Sequence, residues 1–511
     1  MLKFFKSPFF RFVLIIIAGV VEVLATAFLL NYASTQLTWA FTLLDIVLRV
    51  LSVIIVLFIV RYSHHLSADI IWIIAIILAP VLGTLLYITI GANLVLGRTY
   101  KALVKETDFA EQYFSQDPTV MEELKQEPNG TLGKFGYLLN EGKFPTYRNT
   151  GASYYPLGDY CFPQMLEDLR SAEHFIFIEY FIIEPGIFWD SILEILREKV
   201  AQGVDVRVLY DDVGSVGTVP YSYQKTMEEQ GIKCISFNRL NPILGVIENH
   251  RDHRKILVID GKIAYTGGIN LADEYINKVV KFGHWKDNAL RVTGEAVWSF
   301  TVLFLTTWNA LRDEDSDYRV FHTPALPGKV EGYIAPYGET PLDDKLTGQN
   351  VYLNIINQAT HYCYIMTPYL IIDADMTNAL LLAVKRGVDV RIITPGVPDK
   401  KSIYAITRSY FAPLIEGGVR IYAYTPGFVH AKVFVSDDTV ATVGTINLDY
   451  RSLYLHFENG TLMYKTPVVA DVYQDVIETL KECHELSAQE TKKNVLCEFF
   501  LSAARLVTPL L

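Results

Sequence analysis

Cysteine is scarce in this 511-residue chain. The five present, Cys161, Cys234, Cys363, Cys483 and Cys497, are odd in number, widely spaced and form no Cys-x-x-Cys pair. That excludes a disulfide framework and a zinc ribbon, and it favours a reducing compartment for the part that carries them. Metal-ligand patterns are missing too: there is no His-Glu-x-x-His, no calcium-binding loop and no Cys/His cluster. The acidic doublets Asp211-Asp212 and Asp343-Asp344 have no companion ligands at useful spacing, so no metal and no other cofactor is expected. Basic charge is also in deficit. The formal net charge is −11; residues 1–105 carry +5, which leaves −16 on the remainder. Such an acidic globular part excludes a broad basic surface for DNA or RNA.

What the chain has in excess is apolar sequence, 51% of its residues, concentrated at the start. Residues about 12–30, 37–60 and 70–96 form hydrophobic runs, each sufficient to cross a hydrocarbon core. The first is not expected to be a cleaved signal, because no polar mature region follows it before the next run. Glu22, Asp45 and Arg49 lie inside these runs. A charge at mid-bilayer costs roughly 2.5–3.5 kcal/mol on insertion scales, so these are expected to pair or to face a helix interface. Pro80 and Gly83 predict a kink in the third run. Lys3, Lys6 and Arg11 favour a cytoplasmic start, and Arg98, Lys101 and Lys105 a cytoplasmic globular part, whereas three full spans would separate them. One run is therefore expected to be re-entrant or interfacial.

Beyond an acidic connector near residues 106–130, strand and helix signals alternate. Phe175 to Ile183 reads as a buried strand, Trp189 to Ala201 as an amphipathic helix and Val204 to Tyr210 as the next strand. Tyr362 to Met366, a helix ending near Lys385 and Gly387 to Ile393 repeat the order. Gly203-Val-Asp-Val-Arg recurs as Gly387-Val-Asp-Val-Arg, which points to an internal duplication into two α/β lobes.

The duplication carries a second repeated phrase. His253-Arg-Lys255 and His430-Ala-Lys432 are each followed, seven residues after the His, by an acid, Asp260 and Asp437, and then by Gly267 with Asn270 or Gly444 with Asn447. Apolar, β-branched runs on both sides of Asp260-Gly261 and of Asp437-Asp438 predict hairpins. The two-residue spacing places each His and its Lys on one strand face. Two lobes packed face to face would collect two histidines and two lysines in one site.

This pattern resembles the phospholipase D superfamily, whose His-x-Lys-x4-Asp motif occurs twice per active site. The phrases Asn249 to Gly261, Thr266 to Tyr275 and Gly444 to Ser452 are similar to bacterial cardiolipin synthases, as is the amino-terminal apolar segment. The resemblance implies an α/β fold: transmembrane helices within residues 1–105, phospholipase D-like lobes over 130–325 and 326–490 sharing one active site, and a carboxy-terminal apolar segment over 491–511. It implies a membrane-bound enzyme that joins two phosphatidylglycerol molecules, with membrane phospholipids as partners; the cysteine and basic-residue patterns set its catalytic part on the cytoplasmic face of the cell membrane. The acidic chain weakens the nuclease branch of the superfamily, and the Asp-rich motif of CDP-alcohol phosphotransferases is missing. A hydrolase giving phosphatidic acid and a silent lipid-binding scaffold are the other readings.

A phosphodiester is anionic and repels nucleophiles, so Lys255 and Lys432 are expected to neutralise its non-bridging oxygens, helped by Asn270 and Asn447. Gly267, Gly268 and Gly444 would let backbone come close to the phosphate, or simply end strands. One imidazole attacks phosphorus and the other exchanges protons with the alcohols. The family resemblance assigns attack to His253 and acid/base work to His430. It also implies that Asp287 and Glu458 orient the histidines. Asp260 and Asp437 belong to the catalytic motif, but their place at hairpin turns predicts a structural role.

Overall fold

The computed structural model describes residues 38–62, 66–88, 98–127, 130–239, 250–312, 316–324 and 330–492, with a few residues beyond 493. The chain divides into two compact units, one formed by residues 1–97, 242–248 and 494–511, the other by 98–241 and 249–493.

In the larger unit, strands β1 (Thr150–Tyr155), β2 (Phe175–Tyr180), β3 (Asp205–Asp211), β4 (Lys233–Phe237), β5 (Arg251–Asp252), β6 (Lys255–Ile259), β7 (Ile263–Gly267), β8 (His284–Lys286) and β9 (Ala289–Gly294) come first. They are followed by β10 (Tyr333–Glu339), β11 (Tyr362–Met366), β12 (Asp389–Pro395), β13 (Arg420–Tyr424), β14 (Gly427–Val429), β15 (Val433–Ser436), β16 (Val440–Gly444), β17 (His456–Tyr464) and β18 (Cys483–Glu485). The first sheet runs β1-β9-β7-β6-β2-β3-β4 and the second β10-β17-β16-β15-β11-β12-β13-β18, so seven strands correspond one to one. In both, three parallel strands continue into an antiparallel meander. The duplication read from two pentapeptides is thus a duplication of the whole sheet.

The predicted elements fall near where the patterns put them, although β2 ends at Tyr180 rather than Ile183. β2 is buried along its length, as a strand covered on both faces must be. The helix Ile187–Ala201 packs on β3 and buries Phe188, Trp189, Ile192 and Leu196 in the core that β2 and β3 share. Each fully buried side chain of this size contributes roughly 1.5–3 kcal/mol. The helix Val297–Leu311, unread from the sequence, is apolar all round and touches β2 and β6 of one lobe and β10 of the other. A helix with no polar face belongs in a core, and this one joins the two lobes.

The smaller unit holds helices Thr38–Tyr62, Leu66–Leu78 and Pro80–Leu86. Among the described residues no helix is long and apolar enough to cross a membrane. The first apolar run, with Glu22, lies outside the described residues, as does most of the segment after 493. Asp45 and Arg49 pair with each other at 2.8 Å, one helical turn apart. The third run breaks at Ala79, which ends one helix before Pro80 opens the next. Proline lacks the amide that would continue the ladder. Ser52 Oγ bridges this break, donating to Pro80 O at 3.2 Å and lying 3.2 Å from Thr84 Oγ1.

Candidate active site

Each motif histidine follows a short strand that belongs to one lobe by sequence and to the other by hydrogen bonding. β5 pairs in parallel with the start of β17, setting Asp252 opposite Phe457. The next amide, that of His253, donates to Phe457 O at 2.9 Å. β14 pairs with β8 in the same way, Val429 opposite Lys286, and the His430 amide donates to Lys286 O at 2.7 Å. One residue further, this register places each histidine against the other lobe's carboxylate. His253 Nδ1 lies 2.9 Å from both Glu458 oxygens, and His430 Nδ1 lies 2.7 Å from Asp287 Oδ2. Asp287 and Glu458 follow His253 and His430 in sequence, yet each carboxylate serves the histidine of the opposite lobe.

The crossing also corrects the expected strand geometry. His253 and His430 sit in breaks, between β5 and β6 and between β14 and β15, rather than on one strand with their lysines. The chain there is leaving its partner lobe's strand for its own sheet. Both lysines fold back: Lys255 Nζ donates to His253 O at 2.6 Å and Lys432 Nζ donates to His430 O.

Electrostatics follow from burial. Loss of solvent pushes His253 well below the usual histidine value, reinforced by Lys255, His456, Lys432 and His430. It pushes His430 down to about 4, with Lys432 adding to the effect and Asp287 opposing it. Burial likewise lowers Lys255 to about 7 and Lys432 to about 8. The two carboxylates diverge. Burial drives the Glu458 carboxyl well above its ordinary range, whereas Asp287 is held below its own because His430 and Lys432 outweigh burial. Both imidazoles are therefore neutral near neutrality, each with Nδ1 engaged and Nε2 left for chemistry.

The remaining motif residues divide by what they touch. Asp260 accepts the amides of Glu173, His174 and Phe175 at 2.8 Å, and Asp437 accepts those of Thr360, His361 and Tyr362 at 2.7–3.0 Å. Both stand at left-handed turn positions and tie the hairpin to the start of the adjacent strand, a structural task. Asn270 accepts from the Ile182 amide at 3.1 Å and donates to the Tyr275 hydroxyl at 2.8 Å, so one side-chain N–H is left to offer a phosphate. Asn447 bonds Asp449 through its side chain, while its Oδ1 is buried without a partner. The glycines make room for protein: a Cβ on Gly268 would stand 1.9 Å from Asp287 Oδ1, and one on Gly444 would stand 2.4 Å from Asn459 O. Their smallness lets the carboxylate strand lie close enough to reach the histidine.

Three participants escaped the sequence reading. Arg254, between His253 and Lys255, points away from them to Glu179 at 3.1 Å, Asp252 at 3.0 Å and Thr307 at 2.7 Å, fixing the break to the central helix. Asn459 links the lobes, donating to Thr266 Oγ1 at 2.7 Å. The repeat of acid followed by Asn, Asp287-Asn288 and Glu458-Asn459, was a legible signal for it. His456, a lone histidine with no motif around it, stands with its ring 5.8 Å from that of His253. Among the described residues, His253, His456 and Glu458 bring ligating atoms within 4.8 Å of one another, a donor set that could take a metal ion. In that set His253 Nδ1 is already engaged by Glu458.

The chain has recognisable relatives among known proteins. Residues 165–286 and 352–481 match the family described as cardiolipin synthase, PLD-like domain. A cardiolipin synthase of Alkalihalophilus pseudofirmus is 31% identical over 478 residues, covering 93% of this chain and 95% of that one. An uncharacterised protein of Streptococcus mutans is 44% identical over 458 residues, 89% of this chain and 99% of that one. The crystal structure of a phosphatidylserine synthase from Haemophilus influenzae superposes with a TM-score of 0.57 at 17% identity, covering 74% of this chain and all of that one. At that identity the likeness is one of fold.

Proposed function

The chain belongs to the cardiolipin synthase family of phospholipase D-like proteins, and from that premise we propose that it transfers a phosphatidyl group from one phosphatidylglycerol to another, forming cardiolipin and glycerol. The crossed histidine–carboxylate pairs carry this reading, because they hold an imidazole from each lobe at Nδ1 within electrostatic reach of the other. Asp287, held ionised, supports a positive charge on His430. Burial and the neighbouring lysines keep His253 neutral, and with its Nδ1 held at Glu458 it attacks phosphorus through Nε2. The N–P bond forms as the P–O bond to glycerol breaks, and His430 gives its Nε2 proton to the leaving oxygen. A hydroxyl of the second lipid then passes its proton back to His430 while its oxygen bonds phosphorus and the N–P bond breaks. Acid/base assistance of this kind contributes roughly 10² to 10⁴ per step.

Lys255 and Lys432 neutralise the non-bridging oxygens. The arriving phosphate in turn offsets the like charges that depress His430, raising its affinity for the proton it must donate. Lipid substrates require a lobe held at a bilayer, and the helices of residues 38–86 serve as that anchor in the cell membrane, with the lobes on the cytoplasmic face. Leu43, Ile46, Val50, Ile54 and Leu57, all exposed, give the first of them an apolar surface.

The test is to incubate detergent-solubilised protein with headgroup- and acyl-labelled phosphatidylglycerol and to resolve the lipids. Cardiolipin with stoichiometric glycerol is expected, unchanged by EDTA because the lysines replace a metal. Phosphatidic acid as main product would make the enzyme a hydrolase.

A pH dependence follows from the lysines. Their folded values, about 7 and about 8, lie below the ordinary 10.5, so the free enzyme loses phosphate-neutralising charge as pH rises through them. The ratio kcat/KM, which reports the free enzyme, is expected to fall on the alkaline side of about pH 7–8. A profile flat to about pH 9.5 would contradict this assignment.

A further inference from the structure

His456 is a buried imidazole without a task in the mechanism above. It pairs through β17 with β5 and so enters the site from the second lobe, beside the break that carries His253. Its ring is tilted 42° to that of His253, and its Nδ1 lies 3.9 Å from Glu458 Oε1, beyond hydrogen-bond reach. Both its ring nitrogens are buried with no hydrogen-bond partner. Buried polar groups are almost always satisfied, and one that is not calls for an explanation, a role in catalysis or a bound molecule among them. Its exposure, 7%, equals that of His253 and of His430, whereas Lys255, Asp287 and Glu458 are sealed at 0%.

The charge around His456 narrows what it can hold. Burial keeps the ring neutral, reinforced by the positive charge of Arg451, His250, Lys255 and Arg251. A neutral imidazole offers one N–H donor and one N acceptor, which an arginine or lysine cannot do. That is the complement of a hydroxyl pair, in which each O–H both donates and accepts. The glycerol headgroup of phosphatidylglycerol carries two adjacent free hydroxyls, and only one attacks.

We propose that His456 is a specificity-determining residue that holds the non-attacking hydroxyl of the acceptor's vicinal diol, so that the phosphatidyl group on His253 passes to a lipid alcohol rather than to water. This rests on the transfer reading given above. The attacking hydroxyl still loses its proton to His430 as the new P–O bond forms and the N–P bond breaks; His456 makes no bond to phosphorus. Water has no second hydroxyl to engage it, and a mono-alcohol engages it no better.

The test uses the full chain in phosphatidylglycerol micelles and compares wild type with His456→Leu and His456→Gln. Leucine fills the space without polarity, and glutamine keeps a donor and an acceptor. The readouts are the cardiolipin to phosphatidic acid ratio, the amount of acid-labile phosphatidyl-enzyme after rapid quench, and the melting temperature. His456→Leu is expected to lower the product ratio at least about tenfold while still forming the phosphatidyl-enzyme, with a melting temperature equal to or above wild type because an unsatisfied buried group is gone. His456→Gln is expected to recover part of the ratio. With glycerol and 1-propanol as added acceptors, wild type should favour the diol and His456→Leu should not. An unchanged ratio in folded His456→Leu overturns the inference while wild type still makes cardiolipin, and so does loss of phosphatidyl-enzyme in step with both products. If wild type itself gives mainly phosphatidic acid, the transfer reading fails first and takes the inference with it.

Discussion

His253→Ala is expected to lower cardiolipin formation by about 10⁴-fold or more, and His430→Ala by a comparable factor, because each step of the exchange uses both imidazoles. The double substitution should be no worse than the more damaging single one, since groups that act as a unit fail as a unit. The two defects differ in kind. His253→Ala removes the atom that bonds phosphorus and should form no covalent adduct with any donor. His430→Ala retains the nucleophile and should still react with a phosphatidyl donor whose leaving group needs no proton, such as a nitrophenol ester. A time course of nitrophenol release in both variants checks this. Equal reactivity of the two would overturn the division of roles.

The crossed carboxylates give the second large effect. Glu458→Gln and Asp287→Asn should each reduce turnover by roughly 10² to 10⁴, because an amide in place of the acid frees the imidazole to take the wrong tautomer or orientation. Since His253 rests on Glu458 and His430 on Asp287, each defect should resemble that of the histidine in the opposite lobe. Asp287→Asn should recover on the nitrophenol donor, as His430→Ala does, and Glu458→Gln should not. If the recoveries are reversed, each carboxylate serves the histidine of its own lobe and the pairing described here is wrong.

The motif histidines, lysines and turn acids were legible because their evidence is local: a repeated spacing, a hairpin bounded by β-branched runs, an acid at a turn. Asp260 and Asp437 do at those turns what turn acids do, binding three backbone amides each. The partnership of Asp287 and Glu458 was not legible. It depends on β8 pairing with β14 and β5 with β17, contacts of two or three residues between segments about 143 and 205 apart in sequence, which no periodicity announces. His456 stayed hidden for the same reason: a single histidine in an apolar strand becomes informative only when His253 is found beside it. The glycines were read as places for backbone to near a phosphate or as strand ends; Gly267 and Gly444 do end β7 and β16, and Cβ atoms on Gly268 and Gly444 would meet Asp287 and the Asn459 carbonyl. In the amino-terminal part, composition gave the apolar runs and the Pro80 break. Where a helix ends depends on local capping, and hydropathy does not record that.

The most direct measurement is to mix the wild-type enzyme with phosphatidylglycerol, quench within milliseconds under alkaline conditions that preserve phosphohistidine, digest and map the adduct by mass spectrometry. A phosphatidyl group on His253, formed and consumed at rates compatible with cardiolipin synthesis, is the predicted result. An adduct on His430, or cardiolipin formed at full rate with no adduct on either histidine, would contradict it.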